Sequence, residues 1–147
     1  MFLRLDHVGI VAPDIMEALK VLVDQLGLDF DSDRAPLPDG SYFAPEATRN
    51  YFVQVGDGQT QVEILIPQNT TSGVARYMAK NGPGLHHIAY QCTSVGDEAA
   101  RLRDNGLPQI DLGPEDPDRM RAAFFHPKSV LGILTELVPD RPVAMGR

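Results

Sequence analysis

Four residues of this chain have side chains suited to holding a metal ion, and their spacing repeats. His7 and His87 stand 80 positions apart in two similar runs, Leu5-Asp6-His7-Val8-Gly9-Ile10-Val11 and Leu85-His86-His87-Ile88-Ala89-Tyr90-Gln91. Glu63 and Glu136 lie in two further similar runs, Val62-Glu63-Ile64-Leu65-Ile66 and Leu134-Thr135-Glu136-Leu137-Val138. A lone histidine at a strand start is ordinarily a hydrogen-bonded structural residue. An unpaired carboxylate buried in so apolar a strand would cost several kcal/mol. An edge strand with one wet face would explain either glutamate singly, but it does not explain why all four recur in register. Two imidazoles and two carboxylates make a mixed nitrogen and oxygen donor set, suited to one divalent ion of the Co, Mn, Ni, Zn or Fe type. Octahedral coordination by four such ligands leaves two positions for a bidentate substrate.

The elements that must position these residues also repeat. The runs around His7 and His87 are short and rich in β-branched or aromatic residues, which predicts strands. A helix follows each. After Pro13, Asp14 is an N-cap with Glu17 at the capping-box spacing, and Ile15, Ala18, Leu19, Leu22 and Leu26 recur at helical intervals up to the Gly27 stop. In the second half Ser94 and Asp97 take the cap positions, Val95, Ala99 and Leu102 form the stripe, and Gly106 ends it. Each half then holds a hairpin. Residues 51–55 turn at Gly56-Asp57-Gly58 into 61–66, and residues 122–125 turn near Pro127-Lys128-Ser129 into 131–138. Tyr51 stands 12 residues before Glu63 as Phe124 stands 12 before Glu136. A weak strand precedes each hairpin, at 28–33 and 109–112. Residues 72–80 read as a short helix, ended by Asn81-Gly82-Pro83-Gly84. Residues 36–49 read as a loop with 114–118 as its counterpart, and the last eight residues read as a tail.

The expected fold class is therefore α+β: a single domain over 1–147 made of two tandem βαβββ modules, about 5–67 and 85–139. Residues at matched positions of matched strands point to the same side of their sheets. If the modules form a pseudo-twofold curved sheet, His7, Glu63, His87 and Glu136 converge on one metal site.

Composition narrows the function classes. With 147 residues, 43% hydrophobic and 22% charged, the chain has the profile of a globular domain. The net charge of −7 and the lack of a basic run argue against nucleic acid or an anionic membrane as partner. No apolar run approaches the roughly 20 residues of a membrane span. Cys92 is the single cysteine, so no internal disulfide forms, and with no signal-peptide pattern at the start a cytoplasmic location is expected.

The strand–helix–three-strand repeat with His and Glu in each half resembles the vicinal oxygen chelate superfamily, from Leu5 to about Pro139. Leu5-Asp6-His7-Val8-Gly9-Ile10, Lys80-Asn81-Gly82-Pro83-Gly84-Leu85-His86-His87-Ile88 and Phe124-Phe125-His126-Pro127-Lys128-Ser129 are similar to segments of its methylmalonyl-CoA epimerase branch. The resemblance implies His7, Glu63, His87 and Glu136 as metal ligands and Glu136 also as the catalytic base. It further implies Gln61, on the face of Glu63, as a substrate-binding residue, and Lys128, at a turn with His126, as a contact to a phosphate or carboxylate. His86 would face the opposite way as a structural residue. The partners implied are a small-molecule substrate, such as a CoA thioester, and a second copy in a homodimer. The activity implied is epimerisation of methylmalonyl-CoA or a similar acyl-CoA, with a glyoxalase-like lyase or isomerase, or a small-molecule-binding resistance-type protein, as alternatives. One departure stands out. Related epimerases often carry a glutamate on the strand opening the first hairpin, where this chain reads Thr48-Arg49-Asn50-Tyr51 and the nearest carboxylate is Glu46; either a gap in the loop brings Glu46 into that place as the second acid/base residue, or that base is absent.

Overall fold

A computed structural model describes residues 1–112 and 121–141. The chain is α+β, and among the described residues it has eight strands in one mixed sheet and three α-helices. The strands are β1 (Phe2–Val11), β2 (Asp29–Phe30), β3 (Ser41–Phe43), β4 (Thr48–Gln54), β5 (Gln61–Pro67), β6 (Gly84–Cys92), β7 (Ala123–Phe125) and β8 (Leu134–Pro139). The helices are α1 (Ile15–Leu19), α2 (Gly73–Asn81) and α3 (Val95–Asp104). The strand order is β2-β4-β5-β1-β6-β8-β7, with β3 on β4. In each half, then, the first strand adjoins the last, and the last adjoins the one before it. β6 and β8 run parallel, whereas β4–β5 and β7–β8 are antiparallel. The chain divides into two compact units, Met1–His7 with His87–Arg147, and Val8–His86, so the division passes through β1 and β6.

Within Val8–His86, α1 packs on one face of β4–β5. Asp14 caps it by accepting from the Glu17 N–H at 3.1 Å. Its apolar stripe meets Tyr51, Val53, Ile64 and Ile66. The helix does not run on to Leu26 as its periodicity predicts, but passes into a π-helical segment, Lys20–Gln25, where Leu26 N–H bonds to Val21 O at 2.9 Å. The extra residue in that ring slips the stripe, so Leu22 and Val23 pack inward while Leu26 is left 65% exposed. Alternation turns Glu63 and Leu65 to the other face, where Leu65 packs with Val11 and Val74 of α2. Helix α2 starts where expected, with the Ser72 hydroxyl accepting from Ala75 N–H.

Two expectations are corrected here. Residues 36–49 are not simply a loop: they contain β3, a 3₁₀ turn at Ala44–Glu46 and the start of β4. A three-residue edge strand is too short to show alternation, and it is held by pairing with β4 across Ser41↔Asn50 to Phe43↔Thr48. Gly40 touches β4, where any Cβ would lie 2.7 Å from Asn50 O and from the Tyr51 ring. The weak strand at 28–33 shrinks to β2, and the one at 109–112 to a single bridge, Gln109↔Phe125.

Within the other unit, α3 packs Val95, Ala99 and Leu102 against Ala123, Phe125 and Leu137. Ser94 caps α3 through Asp97 N–H at 3.2 Å. The expected loop at 114–118 lies outside the described residues. Of the expected tail, Asp140 and Arg141 are described, and Arg141 is tied down by an ion pair to buried Asp6. Among the described residues no helix is long and apolar enough to cross a membrane.

Candidate metal centre

Strand register brings three of the four expected ligands together. Glu136 of β8 pairs with Ala89 of β6, two residues beyond His87, and residues two apart on a strand share a face. Glu136 thus projects from the same face as His87. His7 of β1 completes the group. His7 Nε2 lies 3.0 Å from His87 Nε2 and 3.1 Å from Glu136 Oε1, and His87 Nε2 lies 3.2 Å from the same oxygen. All three residues are buried.

The protonation pattern of His7 follows from its neighbour. His7 Nδ1 is 2.6 Å from Asp6 Oδ2. A carboxylate can only accept, so Nδ1 carries the proton and, in the neutral ring, Nε2 presents its lone pair to the cluster. Asp6 is itself fully buried, and its Oδ1 accepts from Gln91 Nε2 at 2.6 Å and from Arg141 Nε at 2.7 Å. Gln91 is fixed in turn by Arg4, which donates to its Oε1 at 3.0 Å. A chain Arg4–Gln91–Asp6–His7 therefore aims one imidazole.

At the centre, Glu136 Oε1 is buried and receives no hydrogen bond of acceptable geometry, although two Nε2 atoms lie beside it. Burial pushes the Glu136 carboxyl up, but His7 and His87, when their rings carry protons toward it, outweigh burial and hold the group below the ordinary carboxylate range. With Nε2 of both rings unprotonated, the three atoms in mutual contact offer their lone pairs to a cation. Adjacent ligands of an octahedral ion at about 2.1 Å are separated by √2 times that length, about 3.0 Å. The observed edges of 3.0, 3.1 and 3.2 Å fit that spacing. Ligand atoms of His7, His87 and Glu136, all of one unit, fall within 4.8 Å of one another, and Glu63 of β5 is buried within its own unit. The buried His/Glu cluster is able to hold a metal ion.

The repeat extends to what faces the carboxylates. Glu63 lies opposite Phe52 across β4–β5, and Glu136 lies opposite Phe124 across β7–β8. The residue equivalent to Phe124 is therefore Phe52, and the matching 12-residue spacing to Tyr51 is off by one. Tyr51 instead faces the α1 core, and its hydroxyl donates to Pro38 O at 2.5 Å.

The remaining expected residues lie as follows. Gln61 shares the face of Glu63 and is buried, but its amide is engaged: Nε2 donates to Asp31 Oδ2 at 2.8 Å and Gln54 Oε1 at 2.9 Å, and Oε1 accepts from Arg34 at 2.5 Å. Lys128 is exposed in the 3₁₀ turn Pro127–Ser129, whose first N–H is capped by His126 Nδ1 at 3.1 Å. His86 stacks edge-on against Tyr77, ring centroids 5.0 Å apart. Glu46 caps α2, its Oε2 accepting from Val74 N–H at 3.1 Å. Sequence reasoning passed over Asp6, Gln91, Arg141 and Arg34. The available signal for Asp6 is a carboxylate next to a proposed ligand, although neighbours along a strand ordinarily face opposite ways.

Similarity to known proteins gives the family of the chain. The model of the Glyoxalase/Bleomycin resistance protein/Dioxygenase superfamily covers residues 6–124, and the chain belongs to that superfamily. Within it, the chain is 30% identical over 135 residues to the uncharacterized protein YqjC of Bacillus subtilis (strain 168), covering 91% of this chain and 90% of that one. It is 28% identical over 139 residues to the human mitochondrial methylmalonyl-CoA epimerase, covering 91% and 72%. Among solved structures, a variant of Streptomyces coelicolor methylmalonyl-CoA epimerase in complex with 2-nitronate-propionyl-CoA superposes with a TM-score of 0.80 at 28% identity, covering 97% and 100%.

Proposed function

We propose that this protein is a metal-dependent epimerase of methylmalonyl-CoA or a similar 2-substituted acyl-CoA. The observation that carries the reading is the buried Glu136 Oε1, left without a hydrogen-bond donor between two Nε2 atoms. His7, His87, Glu136 and Glu63 are the residues that would hold the ion. A divalent ion bound there supplies Lewis-acid stabilisation of negative charge developing on a carbonyl oxygen.

The chain's own residues do the rest. A proton next to a thioester carbonyl is weakly acidic, and its removal needs a positioned base. Glu136 is ionised at neutral pH, since its carboxyl is held low by the two histidines against the pull of burial. One of its oxygens faces His7 and His87, and the other takes the proton from C2; inversion is completed when a second acid returns a proton to the opposite face of C2. Asp6 holds His7 in a single tautomer, keeping its proton away from the reacting centre. The burial of His7, His87 and Glu136 keeps bulk water from competing for the proton. Support for the acyl-CoA class comes from the likeness to methylmalonyl-CoA epimerases and to the nitronate-propionyl-CoA complex.

Deuterium uptake at C2 of methylmalonyl-CoA in heavy water, with and without a chelator, tests the reading. Rapid uptake abolished by the chelator and restored by a divalent ion is expected. No uptake by the metal-loaded protein would discard the substrate while leaving the metal site standing.

A further inference from the structure

We propose that Arg141, in the segment that follows β8, is a positioning residue for the metal centre: through Asp6 it fixes the ligand His7 and so sets the affinity for the ion. The inference rests on the reading of the His/Glu cluster as a metal site and adds a residue 135 positions from the one it acts through. Every residue it invokes lies in the unit Met1–His7 with His87–Arg147. The stretch matched by the superfamily model ends at residue 124, so the role of Arg141 rests on its own contacts.

The path of the chain brings Arg141 to Asp6. Strand β6 lies between β1 and β8, and the parallel register of β6 and β8 ends with Gln91 opposite Val138 and Cys92 opposite Pro139. The chain leaving β8 must cross β6 to reach β1, and it does so at the level of Gln91. Its next two residues meet β1 with matching opposite charges. Asp140 lies 3.8 Å from Arg4, and Arg141 Nε donates to Asp6 Oδ1 at 2.7 Å. A slip of one residue would set Asp140 against Asp6, so the order of charges selects one placement. The two pairs are not equal. Asp140 and Arg4 are 56% and 31% exposed, and such a pair contributes little. Asp6 is fully buried, and taking a cation from a buried carboxylate leaves a charge that burial penalises.

Arg141 holds the orientation of that carboxylate. Asp6 Oδ1 accepts from Arg141 and, at 2.6 Å, from Gln91 Nε2, whose own position is fixed because Gln91 Oε1 accepts from Arg4 at 3.0 Å. Two donors converging on Oδ1 set the plane of the group, and Oδ2 then meets His7 Nδ1 at 2.6 Å. An imidazole pinned through Nδ1 has one direction left for Nε2, the atom 3.0 Å from His87 Nε2 and 3.1 Å from Glu136 Oε1. Without Arg141 one of the two donors is gone, the carboxylate tilts toward Gln91, and the ring follows it. A ligand set spaced for one ion tolerates little tilt, so the ion is held less tightly.

The test is competition for Zn²⁺ against a chromogenic chelator, with the wild type and its R141A, R141K and D6N/R141A variants. R141A should bind Zn²⁺ about tenfold more weakly, at the lower end of the effect of removing a partner that orients a metal-ligating histidine. R141K brings back the charge without a donor at the Nε position and should recover part of the loss. In the D6N background R141A should lose less than about twofold more, because the group it acts through is already altered. A second readout needs no metal. The His7 Nδ1 proton, followed by NMR, should exchange with water at least about tenfold faster in R141A, since its acceptor is no longer fixed. Leu102→Ala, which empties part of the α3 core of the same unit, shows what a general loss of stability does to both readouts, and the thermal midpoint of each variant is measured beside them. Zn²⁺ affinity of R141A within about twofold of wild type would overturn the proposal. So would an equal loss in Leu102→Ala, or a full further loss on adding R141A to D6N. A wild type that binds no divalent ion would end the metal reading, and proton exchange at His7 would then decide the role of Arg141 alone.

Discussion

Replacing Asp6 by Asn changes one atom and should loosen the metal. Asp6 accepts three hydrogen bonds, one from His7 Nδ1 at 2.6 Å through Oδ2, and two from Gln91 and Arg141 at 2.6 and 2.7 Å through Oδ1. An amide has one accepting end and one donating end, so neither orientation serves all three. With the NH₂ toward His7, Nδ1 must give up its proton, and the proton moves to Nε2, the atom meant to bind the ion. With the NH₂ toward Gln91 and Arg141, donor faces donor and the Arg141 charge loses its partner. Gln91 cannot adapt by turning over, because its Oε1 already accepts from Arg4 at 3.0 Å. Partners that orient a metal-ligating histidine are typically worth 10–100-fold in metal affinity, or about 1.4–2.8 kcal/mol. The metal-free variant should also lose about 1–3 kcal/mol of stability, the usual cost of stranding buried polar groups. Competition for Zn²⁺ or Co²⁺ against a chromogenic chelator measures the first, and urea unfolding of the metal-free protein measures the second. A D6N protein that binds metal within about twofold of wild type would refute the tautomer argument, whatever its stability.

Further outcomes follow from the same geometry. His7→Ala and His87→Ala should each lose metal and C2 exchange together, read by elemental analysis of the purified proteins. Stoichiometric metal in either would remove that histidine from the ligand set. Glu136→Gln should lower C2 exchange by at least about 10²-fold even at saturating metal, and normal exchange would exclude Glu136 as the base. Phe125 is fully buried among Ala99, Leu102 and Leu137, so Phe125→Ala should cost about 3–5 kcal/mol in denaturant unfolding. A cost below about 1 kcal/mol would mean that this core is looser than its burial implies.

Much of the frame is written in local sequence. Asp14 and Ser94 each cap the helix assigned to them, and Ser72, read only as the start of a helix, caps α2, because a cap bonds to a backbone N–H only three residues on. Alternation in Val62-Glu63-Ile64-Leu65-Ile66 correctly sends Ile64 and Ile66 to the α1 core and Glu63 to the other face. Where local signals were short or competed with packing, the reading slipped. The three residues of β3 exist as a strand only because β4 offers an edge. The π-helical segment after α1 obeys packing in place of the 3.6-residue period.

The sequence by itself determined which side chains had the chemistry of a metal centre. It did so because two histidines and two glutamates recur at matching points of two similar strand patterns, a regularity that needs no coordinates to see. Only the tertiary structure decided what surrounds them. Asp6 reaches His7 against the alternation rule, Arg141 reaches Asp6 from 135 residues away, and Arg34 comes to lie over Phe52. None of these contacts has a spacing signature, because each depends on which strands become neighbours and in what register. Local patterns set what a residue can do, and pairing across the sheet sets what it meets.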